Sequence, residues 1–171
     1  MKIENTPLKD CFIIHDTVHG DARGYFIETF NQKDFAAATG LDIVFVQDNQ
    51  SRSSKGVLRG LHMQKGDAAQ AKLVRVIEGA VLDIAVDLRK ESPDYGKSEI
   101  FMLNPNNQLY VPRYFAHGFL TLEDDCIVQY LVDNVYNKES EKTLFWNEVV
   151  ELSEILKNIE LIISEKDNPN L

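Results

Sequence analysis

Apolar residues along this chain come in short bursts separated by turn-forming residues. The opening CFIIHD and the later GYFIETF are brief runs rich in Ile and Phe, parted by the turn signal DARG, and they read as strands. NQKDFAAATG has a different character: Asn31 suits an N-cap, the body is rich in alanine and Gly40 suits a C-terminal stop, so one short helix is expected. From Ile43 onward the pattern changes to period two. In AKLVRVIEGAVLDIAVDL, Lys72, Val74, Val76 and Glu78 share one strand face and Leu73, Arg75 and Ile77 the other, with Glu78-Gly79 expected to close a hairpin. The following run sends Val81, Asp83, Ala85 and Asp87 to one side and Leu82, Ile84, Val86 and Leu88 to the other. Further strand-like runs at SEIFML, QLYVP, AHGFLTL, CIVQYLV and TLFWN have the spacing of a sandwich or barrel. The closing VVELSEILKNIELII has helical spacing. The pattern therefore predicts an all-β fold, a jelly-roll or cupin-type β-sandwich with one or more short flanking helices.

With 171 residues, the sequence predicts a single domain spanning 1–171. Apolar residues at 44% and charged residues at 26% match an ordinary globular protein and exclude a fibrous or disordered one. No apolar run approaches the roughly 20 residues of a membrane helix, and MKIENTPLKD lacks an apolar signal core, so the expected location is cytoplasmic with no membrane partner. A net charge of -9 argues against nucleic acid as a partner. An acidic protein can still bind an anionic small molecule if its cations gather in one pocket. Cys11 and Cys126 lie far apart, outside any metal-ligand spacing, and each reads as a buried reduced thiol.

Polar residues at inward strand positions are the informative ones, because a small sandwich otherwise fills its interior with apolar side chains. They are His62, Gln64, Lys72, Asp83, His117 and Tyr130. Either histidine alone reads as a core residue with satisfied ring nitrogens. Two strand histidines, a strand lysine and a strand tyrosine together, in a chain with 4 histidines, read as a site. One chemistry open to such a set is that of a metal cupin. The usual His-x-His is here His62-Met63-Gln64, and Lys72 in the same cavity would repel a cation, so no metal is expected. The other is metal-free proton transfer beside a carbonyl, which needs a base, a donor to the enolate oxygen and an acid on the opposite face. His62, Lys72 and Tyr130 supply one of each.

Taken in order, RGYFIE (23–28), VQDNQSRS (46–53), VLRGLHMQ (57–64), QAKLVRVIEGAVLDIAVDLRKESPDYGK (70–97), QLYVPRYFAHGF (108–119) and SEKD (164–167) resemble the successive signatures of the dTDP-4-dehydrorhamnose 3,5-epimerases. The resemblance implies an isomerase without cofactor, metal or nicotinamide, converting dTDP-4-dehydro-6-deoxy-D-glucose to dTDP-4-dehydro-L-rhamnose. It implies His62 as the base, Asp167 as its carboxylate partner, Tyr130 as the acid, Lys72 as the enolate donor and Arg59 on the diphosphate. Arg23, Glu28, Gln47, Asn49, His117, Glu141 and Lys166 match positions that hold the nucleotide or sugar. The family further implies a homodimer with exchanged N-terminal strands. The chain departs from the family pattern in LVDNVY, where Leu131, Val132 and Val135 replace polar or aromatic residues and only Tyr136 remains of a tyrosine pair. These departures leave open inversion at one carbon of a related nucleotide-linked 4-keto-deoxysugar. A non-catalytic sugar-nucleotide binder is a third possibility, which replacement of His62 distinguishes.

Overall fold

The computed structural model describes residues 1–169. The chain runs β1 (Lys2–Asn5), β2 (Phe12–His15), β3 (Val18–Asp21), β4 (Gly24–Ile27), α1 (Gln32–Thr39), β5 (Gln47–Ser53), β6 (Val57–Gln64), β7 (Lys72–Glu78) and β8 (Val81–Asp87). It continues through β9 (Ser98–Leu103), β10 (Asn107–Val111), β11 (Phe115–Thr121), β12 (Cys126–Val132), β13 (Glu141–Thr143), α2 (Val150–Leu156) and β14 (Ile162–Ile163), with short 3-10 turns between some of them. Among the described residues these strands form a first sheet in the order β1-β2-β10-β7-β12-β5 and a second in the order β13-β6-β11-β8-β9, with β14 added to β6. This is a cupin-like β-sandwich.

The two-residue periodicity explains the layers. Val74, Val76, Leu109, Val111 and Val128 from the first sheet meet Val81, Ala85, Phe101, Phe115 and Phe119 from the second in the central core. Alternate residues make the outer faces apolar as well, so each outer face needs a cover. Helix α2 lays Leu152 and Leu156 over Leu58, Ile84, Val86 and Leu120 of the second sheet. Helix α1 presses Phe35 onto Phe12, Ile14, Leu73 and Tyr110 of the first. The α1 caps follow the sequence: Asn31 Oδ1 accepts from the amides of Lys33 and Asp34, and Gly40 takes the left-handed conformation at φ 70°.

Three local expectations are corrected. Glu78-Gly79 does not close a hairpin: β7 pairs with β10 and β12, whereas β8 pairs with β9 and β11, so the chain crosses there from one sheet to the other. Gly79 permits the crossing, because at φ 82° a Cβ would stand 2.9 Å from Cys126 Sγ. The strand expected at TLFWN begins earlier, as Glu141–Thr143, and Trp146 starts a 3-10 turn. The closing helix ends at Leu156, and Ile162–Ile163 instead pair in parallel with Val57 and Leu58. Among the described residues the β3–β4 pair forms a separate two-stranded arm that pairs with neither large sheet, with Tyr25 73% and Phe26 67% exposed. Among the described residues no helix is long and apolar enough to cross a membrane.

Candidate active site

The site opens between the sheets, and its shape depends on one irregularity in β6. Arg59 and His62 are three residues apart, which strict alternation would place on opposite faces. The β6–β11 register slips, with His117 opposite His62 but Phe119 opposite Arg59, so β6 carries one extra residue there. Gly60 sits in that bulge at φ 112°, and a Cβ on it would lie 2.7 Å from the backbone of both His117 and Gly118. The bulge turns Arg59 and His62 into the same cleft and leaves the Gly60 amide free of the ladder.

That amide is used. Asp167, carried on the 3-10 turn Glu165–Asp167, accepts from Gly60 N at 3.3 Å through Oδ2, while Oδ1 lies 2.5 Å from His62 Nε2. The Asp167 side chain is 4% exposed and that of His62 is 22% exposed. Burial raises the Asp167 pKa, but the hydrogen bond and charge of His62 with the Gly60 amide outweigh it and hold the carboxyl below its ordinary value. The carboxylate stays ionised and fixes the ring orientation, which leaves His62 Nδ1 as the nitrogen able to reach a substrate.

Behind His62 stands a second imidazole–carboxylate pair. His117 Nε2 lies 2.8 and 3.0 Å from the two oxygens of fully buried Asp83, and Lys72 Nζ lies 3.4 Å from His117 Nδ1 and 3.3 Å from the His62 carbonyl oxygen. Lys72 comes from the opposite sheet, reaching across the gap. Desolvation pulls its pKa down to about 8, opposed by the charges of Asp83 and Glu141. Tyr130, also from the first sheet, packs on the central core at its ring. Burial chiefly raises its pKa, while Arg59 and Lys166 pull the other way.

A cleft of about 830 Å³ takes in Asn49, Arg59, His62, Lys72, His117, Tyr130, Glu141, Lys166 and Asp167. An adjoining recess of about 240 Å³ is lined by amides, Gln47, Asn49, Gln64 and Gln70, together with Tyr136. Gln47 Nε2 donates to Asn49 at 2.8 Å. Lys166 pairs with Glu141 at 2.9 Å, and Tyr136 donates to the other Glu141 oxygen at 3.1 Å. Ser53 accepts from Arg59 Nε at 3.1 Å and steadies the guanidinium. Ten of the twelve expected site residues thus converge. Arg23 and Glu28 do not: both are exposed, Arg23 in the turn between β3 and β4, where it pairs with Asp21 and its side chain is 90% exposed, and Glu28 just past β4. Among the described residues the arm's strands pair only with each other, and no strand pairing carries Arg23 and Glu28 to the cleft. Tyr136, Gln70 and Ser53 were missed as candidates. Ser53, two residues beyond the buried hydroxyl of Ser51 on the same strand, had alternation as its one signal.

Among the described residues no three histidine, cysteine or carboxylate side chains gather as a metal site. A β-sandwich with an imidazole–carboxylate pair, an ammonium and a phenol around one cleft defines a cupin-like enzyme of the isomerase class. The dTDP-4-dehydrorhamnose 3,5-epimerase family profile matches residues 5–171, and the chain belongs to that family. The dTDP-4-dehydrorhamnose 3,5-epimerase of Escherichia coli is 46% identical over 169 residues, covering 98% of this chain and 91% of the relative. Its counterpart in Elizabethkingia anophelis, a crystal structure, superimposes with a TM-score of 0.89 at 51% identity, covering 99% of this chain and 94% of the other. A third, the Legionella pneumophila dTDP-6-deoxy-D-glucose-3,5-epimerase in complex with dTDP-4-keto-L-rhamnose, has a TM-score of 0.89 at 38% identity, covering 97% and 89%.

Proposed function

We propose that this protein is a 3,5-epimerase acting on dTDP-4-dehydro-6-deoxy-D-glucose to give dTDP-4-dehydro-L-rhamnose. The observation that carries the reading is that the His62–Asp167 pair and Tyr130 enter one cleft from different sheets, with Lys72 reaching between them. A base and an acid on opposite walls suit removal of a carbon-bound proton from one face and its return to the other. His62 Nδ1 takes the proton at C5 or C3, each of which flanks the C4 ketone. The electron pair moves onto the C4 oxygen, where the Lys72 ammonium donates to the developing charge. Tyr130 then protonates the opposite face, and Arg59 and Lys166 lower the cost of the phenolate it leaves behind. Solvent restores both groups before the second carbon turns over.

Arg59 is the bidentate partner for the diphosphate. Gln47, Asn49 and the Glu141–Lys166 pair hold the nucleotide and sugar. Arg23 and Glu28 serve the cleft of a second copy through exchanged arms, which the exposure of Tyr25 and Phe26 supports. A cytoplasmic setting accords with Cys11 and Cys126, both buried free thiols.

Incubation with the 4-keto sugar nucleotide in heavy water tests the reaction. Deuterium at both C3 and C5 is expected. Label at one carbon would make this a mono-epimerase, and label at neither would remove it from epimerases of this substrate altogether.

A further inference from the structure

The imidazole behind the base has both ring nitrogens committed to protein groups. An ionised carboxylate can only accept, so His117 Nε2, 2.8 and 3.0 Å from the Asp83 oxygens, carries the ring proton and donates it. Burial chiefly, and the neighbouring Lys72 and His62, hold the His117 pKa below its ordinary value, so the ring is neutral at pH 7 and Nδ1 is left as an acceptor. The group 3.4 Å from that nitrogen is the Lys72 ammonium. An ammonium has three N–H bonds to give. One goes to His117 Nδ1, a second to the His62 carbonyl oxygen at 3.3 Å, and the third remains for the cleft.

We propose that Asp83 and His117 are positioning residues for the epimerisation, holding two of the Lys72 N–H bonds in place so that the third points at the substrate's C4 oxygen. The proposal rests on the reading of Lys72 as the enolate donor, and it gives His117 a role through Lys72 in place of direct contact with the sugar. It also assigns Asp83, which no substrate can reach, a part in the reaction. The His62 carbonyl that holds the second N–H belongs to the base itself, so donor and base are set relative to each other by one strand.

The same arrangement bears on charge. Lys72 is faced by Asp83 from β8, Glu141 from β13, Lys166 from the C-terminal turn, His62 from β6, His117 from β11 and Tyr130 from β12. Desolvation lowers the Lys72 pKa to about 8, while Asp83 and then Glu141 raise it. Removing the Asp83 charge therefore lowers it further, and the ammonium is lost at lower pH.

The test is kcat and KM measured against pH for the parent, Asp83→Asn, His117→Gln and His117→Phe. In Asp83→Asn, kcat is expected to fall about 10–100-fold with KM held within about 3-fold, and the alkaline limb of kcat to move down by roughly half a unit or more. His117→Gln, whose amide keeps a donor and an acceptor, is expected to retain at least about ten times the kcat of His117→Phe. An alkaline limb that stays in place in folded Asp83→Asn overturns the proposal, and so does a raised KM at unchanged kcat, which would make His117 a direct ligand. One measurement needs no variant: nitrogen-15 shifts of the parent's His117 ring should report the Nε2–H tautomer at neutral pH, and the Nδ1–H tautomer overturns the proposal. If the parent introduces no deuterium at C3 or C5, the underlying function fails with it. If the parent exchanges both protons and the tautomer or pH limb disagrees, only the role of Asp83 and His117 falls.

Discussion

Gly60 and Gly118 show how much of the site depends on side chains that are absent. Gly118, on β11, faces the bulge in β6, and a Cβ there would come within 2.4 Å of the Arg59 carbonyl oxygen and 2.7 Å of Leu61 Cδ2. Gly118→Ala is expected to lower Tm by roughly 5–10 °C, since backbone and a packed leucine must both yield. Activity should fall further than stability accounts for, because the same shift turns Arg59 or His62 out of the cleft. Asp167 allows a second residue-scale test. Its folded pKa lies below the unfolded value, so its contribution is present above the unfolded carboxylate range and is lost as pH falls through the folded value. Asp167→Asn should therefore lose less stability than the parent between about pH 5 and about pH 3 in denaturant melts. Its kcat should drop on the order of 10²-fold or more, as an imidazole loses its orienting carboxylate. At this scale the candidate side chains are legible in the sequence and their geometry is not. Types such as His62, Lys72 and Tyr130 in apolar strands advertise themselves, whereas the single extra residue that brings Arg59 and His62 to one face leaves no mark in a period-two pattern.

Among the elements, the smallest has the largest consequence. Strand β14 pairs two residues with β6, anchored by the Ile162 amide on the Gly56 carbonyl at 2.9 Å, and it delivers Lys166 and Asp167 to the cleft. Ile163 packs against the outer core beneath α2. Replacing it with Asn should undock this segment while the sandwich stays folded. Hydrogen exchange should then show lost protection confined to 162–167, with kcat reduced about as far as in Asp167→Asn. The sequence predicts a helix through this region because Leu152, Leu156 and the later isoleucines keep that spacing. What ends the helix is tertiary: the edge of β6 beyond β13 is open, and the isoleucines gain more by closing it. The Glu78-Gly79 turn is a similar case. Alternation placed Val74 and Val81 on inward faces but carries no information on whether the two strands share a sheet. By contrast α1, whose caps are local, was readable to its ends.

For the molecule as a whole, charge and assembly give the remaining tests. The chain carries a net charge of -9, yet Arg59, Lys72 and Lys166 meet in one cleft. KM for the nucleotide sugar should therefore rise with added salt between about 0.05 and 0.5 M, as screening weakens that local field. The exposed aromatic arm predicts self-association: Tyr25→Ser with Phe26→Ser should shift the mass in light scattering toward one chain and weaken nucleotide binding, through the loss of Arg23 and Glu28 from the neighbouring cleft. The fold class followed from the spacing of apolar bursts alone. The separateness of the arm did not, since a strand pair bonded only to itself is indistinguishable in sequence from one inside a sheet.

His62 rides on one layer of the sandwich and Tyr130 on the other, so in the proposed reaction the spacing of base and acid is set by the thickness of the molecule's own interior. The protein acts as a caliper whose jaws are its sheets and whose setting screw is the valine packing between them. Hydrostatic pressure, or a Val76→Ala void in the central core against which Tyr130 packs, should alter the rate of inversion while leaving the grip on the diphosphate untouched.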